Sequence, residues 1–197
     1  MNYHTLNLPN NDVELTDEEY VDLIYEIKAK FLGWAAYLDT QLSEFITEIF
    51  LLNKSNDKSL WYDTVFDEDR QVTFGAKIVW LGKILKNHNE IKENFDAERR
   101  KNLINLINDI RDLRNDFAHT TSLREVSNED KSQRRMWLID HTGGYMQPKI
   151  ISMNHVVKIV NNSDVLNDLL ELTRLAISIR TKTEPVIKKI TPQKHGA

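Results

Sequence analysis

Arg114 and His119 stand five residues apart in the segment Leu113-Arg114-Asn115-Asp116-Phe117-Ala118-His119. Arginine offers a permanent charge and a planar fork of donors that matches phosphate oxygens. Histidine, with an unperturbed pKa near ~6.5, gives or takes a proton at neutral pH. Asn115 adds an amide that both donates and accepts. Such a set can hold a phosphodiester and move its protons without a metal, provided that the elements carrying it bring the groups to one place.

The surrounding pattern predicts where those groups point. From about Asp96 to Ala118, Leu103, Leu106, Ile110, Leu113 and Phe117 recur at spacings of three and four, which draws the apolar stripe of an amphipathic helix. At about 100° per residue, Asn115 and His119 point roughly 160° away from Phe117, toward solvent or a partner. Arg111 sits about 120° from it and Arg114 about 60°. Arg114 and His119 therefore diverge by about 140° on a straight helix. A second copy of the motif, or a distorted helix end, is needed for both to meet one phosphate.

The rest of the chain supplies the scaffold. Thr16-Asp17-Glu18-Glu19 is a capping box. It opens a helix to about Leu52, whose core positions run from Tyr20, Leu23, Ile24 and Ile27 through Phe31, Trp34 and Leu38 to Leu42, Phe45, Ile46 and Ile49. Gly33 is a point where that helix can bend or break. Residues 53–70 are polar and read as a loop or short helix carrying Trp61, Tyr62 and Phe66. Helical period returns from Thr73 to about Lys86, where Gly75 and Gly82 share a face that another helix can approach closely.

Beyond His119 a charged stretch to Arg135 reads as a mobile loop. Residues 136–153 read as two short strands joined by Gly143-Gly144. Asn154 to about Thr181 is the last helix, or two pieces meeting at 161–164 with Ser163 or Asp164 as the cap. The expected fold is all-α, a bundle of four to five helices with a small β-hairpin before the last one. Residues 16–182 form its single domain, flanked by a flexible arm at 1–15 and a flexible basic tail at 183–197.

Composition narrows the function classes. With no cysteine, disulfide frameworks and thiolate metal sites are excluded, and a cytoplasmic protein is expected. No apolar run approaches the ~20 residues of a membrane span, so no membrane partner is expected. A formal charge of −4 does not suit a protein that coats nucleic acid over its whole surface. Contact with RNA must be local, with Arg111 and Arg124 beside Arg114, and Arg99, Arg100, Lys101, Arg134 and Arg135 as further cations.

The string from Ile110 to His119, IRDLRNDFAH, resembles the Arg-x4-6-His signature of HEPN domains, in which a polar residue, often asparagine, follows the arginine. TFGAKIVWLGKIL at 73–85, followed by LRNDFAH, is similar to the mannitol operon repressor branch of HEPN-like proteins. The resemblance implies a helical bundle that dimerises so that two motifs meet in one cleft. For active members it implies a metal-independent endoribonuclease, a toxin or antiviral effector, with an antitoxin or sensor as a possible partner. Arg114 would then hold the scissile phosphate, His119 would act as acid or base, and Asn115 would orient one of them. No cofactor is implied. In one toxin branch a modified tyrosine lies two positions after the histidine; Thr121 stands there in this chain, so control by that modification is not expected, while a toxin role without it is. The alternative within the same resemblance is a non-catalytic transcriptional regulator or scaffold.

Other candidates carry less. His88, His141 and His155 lack a ligand spacing such as His-Glu-x-x-His, so no metal site is expected. Asp39, Glu44 and Glu48 have room for a carboxylate constellation, but Glu44 and Glu48, four apart, read as a solvated helix face. Asp112 and Asp116 are the acidic residues nearest His119 that can orient its ring. Trp34, Trp80 and Trp137 read as core, and Trp61 as the tryptophan freest to stack on a base.

Overall fold

The computed structural model describes Leu8 and residues 15–51, 72–125, 135–140, 147–162 and 164–183. The capping box forms: Thr16 N–H donates to Glu19 Oε2 at 2.8 Å and Glu19 N–H to Thr16 Oγ1 at 3.3 Å. The bond from the Thr16 backbone holds the Glu19 carboxyl below its usual range. The 34-residue helix α1, Asp17–Phe50, starts there. It passes through Gly33 without a break, and nothing lies within 4 Å of the place where a Cβ would sit.

Around α1 stand α2 (Phe74–Asn87), the six-residue α3 (Asn89–Asn94), α4 (Ala97–His119), α5 (Met153–Val160) and α6 (Asp164–Thr183). The described residues are thus mostly helical, with five helices of eight residues or more among them. The predicted apolar stripe of α1 is buried from Tyr20 to Ile46, and the Phe31 ring packs on Phe117 of α4 at 5.3 Å between centroids. The two glycines of α2 both face α4. A Cβ on Gly75 would lie 3.9 Å from Arg111 Cδ, and one on Gly82 would lie 3.9 Å from Ile104 Cδ1.

Three short strands follow α4: β1 (Thr120–Glu125), β2 (Arg135–Asp140) and β3 (Gln147–Ser152), antiparallel in the order β1-β2-β3. The mobile loop expected after His119 is corrected here for residues 120–125, which pair with β2. Ladder bonds to a neighbouring strand stabilise that segment, and no local period announces them. The Gly143-Gly144 turn, residues 126–134, the 53–70 segment, most of the 1–15 arm and the basic tail beyond Thr183 lie outside the described residues.

The last helical stretch is two pieces. At their junction Asn162 Oδ1 accepts from Asp164 N–H at 2.9 Å; Asp164 is the first helical residue, and Ser163, the other expected cap, lies outside the described residues. Ion pairs fix the neighbours of α1. Lys77 Nζ lies 2.7 Å from Asp39 Oδ1, and Arg180 Nε lies 3.1 Å from Glu48 Oε2. Glu48 is buried, not on a solvated face, because that side of α1 meets α6. Arg99 of α4 reaches Asp168 and Glu171 of α6 and stacks 3.8 Å from the Phe95 ring centroid.

Two outcomes follow from this packing. Gly33→Ala should raise unfolding stability by about 0.5–1 kcal/mol in urea titration, since the added methyl meets open space in mid-helix. Arg99→Gln should cost about 1–2 kcal/mol at neutral pH, less than for fully buried pairs because Arg99 is partly exposed. Burial already pushes the Asp168 carboxyl up, and Arg99 opposes that rise. Without Arg99 it climbs further, so the penalty is full above the raised folded value and shrinks as pH falls through it. Urea unfolding at several pH values checks both size and sign.

Candidate functional site

Helix α4 is set at its start by Asp96, whose Oδ1 accepts from Arg99 N–H at 2.8 Å. Its buried stripe is Leu103, Ile107, Ile110, Leu113 and Phe117; Ile107 takes the buried place expected of Leu106, which is half-covered. With Leu113 and Phe117 anchored in the core, the motif residues fall where the period placed them. Arg114 is half-buried, while Asn115 and His119 are exposed. Among the described residues, none pairs with the side chains of these three.

The helix stays regular through His119. A distorted helix end therefore does not bring Arg114 and His119 together, and the roughly 140° between them persists within one chain. One copy supplies a guanidinium on one flank and an imidazole on the outer face.

Several of the expected RNA-contact residues are engaged within the fold. Arg111 donates from Nε and Nη2 to Asp112 Oδ1 at 2.9 and 2.7 Å, and its stem lies beside Gly75. Arg99 is held by Asp168 and Glu171, and Arg100 donates to the Phe95 carbonyl at 2.6 Å. Arg124 stands in β1 opposite Trp137, and Arg135 in β2 opposite Ser152; Arg134 lies outside the described residues. The two acidic residues nearest His119 are both paired with cations, Asp112 with Arg111 and Asp116 with Lys149.

A feature missed in sequence is the groove on the acidic flank of α4. Asp109, Asp112 and Asp116 line one side and Lys149, Ser152 and His155 the other, around a volume of about 420 Å³. The aspartate spacing of three and four places them on one flank. What stands opposite depends on the register of β3 and the start of α5, which no local pattern states. Among the described residues no three histidine or carboxylate side chains are grouped to hold a metal ion. The Asp39, Glu44 and Glu48 set is divided by its partners, since Asp39 faces Lys77 and Glu48 faces Arg180. Trp34 is core, Trp80 is half-exposed against Phe50, and Trp61 lies outside the described residues.

No family model, curated protein or solved structure matches the chain. No described helix is long and apolar enough to cross a membrane. The motif can be separated from the scaffold by stability alone. Asn115→Ala and His119→Ala should leave unfolding free energy within about 0.5 kcal/mol of the parent, as exposed residues without described partners. Leu113→Ala and Phe117→Ala, which open cavities in the core, should cost about 2–5 kcal/mol. Parallel urea titrations of the four variants check the contrast.

Proposed function

We propose that the chain is a HEPN-type, metal-independent endoribonuclease that acts as a homodimer in the cytoplasm, as a toxin or antiviral effector under the control of a partner protein. The observation that carries the reading is the Arg114-Asn115-x3-His119 set on the last turns of a regular helix, with Asn115 and His119 exposed and unpaired among the described residues. The helix-rich bundle around it and the divergence of its two chemistries within one chain favour a site completed by a second copy.

The chemistry follows from the groups. One His119 takes the proton from a ribose 2′-hydroxyl, and the 2′-oxygen attacks the adjacent phosphorus. Charge grows on the non-bridging oxygens, where Arg114 from each copy lies against it, with Asn115 orienting the arginine or the imidazole. The bond from phosphorus to the 5′-oxygen breaks, and His119 of the second copy delivers a proton to that oxygen. The products are a 2′,3′-cyclic phosphate and a 5′-hydroxyl, with no net proton gained or lost. DNA, lacking the attacking hydroxyl, is not a substrate.

A second reading, a non-catalytic regulator or scaffold acting through protein contacts, is favoured by a specific observation. The flank of α4 beside His119 carries Asp109, Asp112 and Asp116, and Asp112 holds Arg111. These carboxylates occupy the nearest cations, Arg111 and Lys149, so the flank offers a phosphate backbone little net attraction and suits a protein surface of mixed charge. Cleavage of mixed tRNA and unstructured RNA in excess EDTA decides between the two. The parent should cut to cyclic-phosphate ends, and Arg114→Ala and His119→Ala should each slow cutting by about 100-fold or more at matched dimer concentration. No cutting by folded, dimeric parent protein transfers the assignment to the regulator.

A further inference from the structure

A site independent of the Arg/His motif lies at the far end of α1. Phe31 marks the level of Phe117 near the motif, and Phe50 follows it along about 28 Å of helix. Phe50 is 41% exposed and meets Trp80 of α2 edge to face, with centroids 5.7 Å apart and planes at 87°. These two rings form the corner of a groove of about 370 Å³, completed by Ile49, Ile84, Lys83 and His88. The volume falls within the range of small-molecule sites.

The lining selects a kind of guest. Two aromatic faces at right angles accept a flat apolar group, and water against them is released when one enters. Lys83 is the cation on the rim and is exposed; among the described residues it has no ion-pair partner and no carboxylate lines the groove. His88 also lines the groove, and its Nδ1 atom is buried without a hydrogen-bond partner among the described residues, a cost that a guest with hydrogen-bonding groups can offset. The space holds one or two fused rings, whereas an amphipathic helix needs a longer trough. We propose that this groove binds a small aromatic monocarboxylate, with its ring in the Phe50–Trp80 corner and its carboxylate on Lys83 beside the His88 ring.

The test is calorimetric titration of the full chain with 2-naphthoate, followed in parallel by the Trp80 indole NMR resonance. Saturable one-to-one binding that moves the Trp80 signal and leaves that of Trp34 in place is expected. Lys83→Glu, at an exposed position that leaves Tm unchanged, should weaken binding by about tenfold or more, and the neutral 2-naphthamide should bind about tenfold more weakly than the acid. Phe50→Ser should abolish saturation. Absence of saturable binding up to about 10 mM overturns the proposal, including the case in which another protein segment fills the groove. Equal binding of the amide, or of the Lys83→Glu variant, overturns the carboxylate assignment.

Discussion

Everything in this molecule is built against one helix that is covered on several sides at once. Helix α1 buries Ile24, Ile27, Phe31, Ala35, Leu38, Leu42, Phe45 and Ile46 with no exposed surface to speak of, and over about 50 Å of length it meets α2, α4, α5, α6 and β1. Burial on that scale exceeds what the intrinsic propensity of the segment contributes, because most helix stability in proteins comes from packing. It also explains why Gly33 is tolerated at its centre. Where α1 runs out of apolar side chains, Asp39 and Glu48 meet cations of neighbouring helices, while Thr47 turns back onto its own helix. Lys77 answers Asp39, Arg180 lies against Glu48, and Thr47 donates back to the Ser43 carbonyl. A buried carboxylate stripped of its cation is strongly unfavourable, so these pairs act as register marks for α2 and α6.

Helix α4 shows how one element serves both core and site. Its inner stripe locks it to Phe31, its start is tied to α6 through Arg99, and its flanks carry opposite charge. Arg111 and Arg114 fall on the side toward α2, while Asp109, Asp112 and Asp116 fall on the side toward β3. The outer face between them holds Asn115 and His119. Asp112 and Asp116 are answered by Arg111 and Lys149, so Arg114 is the cation beside this face that is unpaired among the described residues.

Much of this was legible in the residues. The capping box at Thr16 and Glu19, the core stripe of α1, and the outward direction of Asn115 and His119 follow from local spacing, and local spacing survives folding when one face is buried. The shared face of Gly75 and Gly82 was readable for the same reason, although the identity of its partner, α4, was not. The strand β1 was not readable, because Thr120–Glu125 has its partner in residues 135–140 and no period of its own. Glu48 was misplaced on a solvated face for a similar reason: its cation, Arg180, lies more than a hundred residues away in the chain. Arg111 and Asp116 looked available until the structure gave each a counter-ion. Side-chain partners across elements are what single-sequence spacing leaves out.

The junction after α4 has a mechanical meaning. His119 is the last residue of the helix and Thr120 the first of the strand, so no linker separates them. The ladder then shifts register between Thr120 and Ser122, which leaves Thr121 as the extra residue of a bulge. The sheet is thus joined directly to the final turn of α4, with the bulged Thr121 next to the join. The residue that carries the imidazole is thus the join between helix and sheet, and the Asp116–Lys149 pair ties β3 back to the same turns of α4.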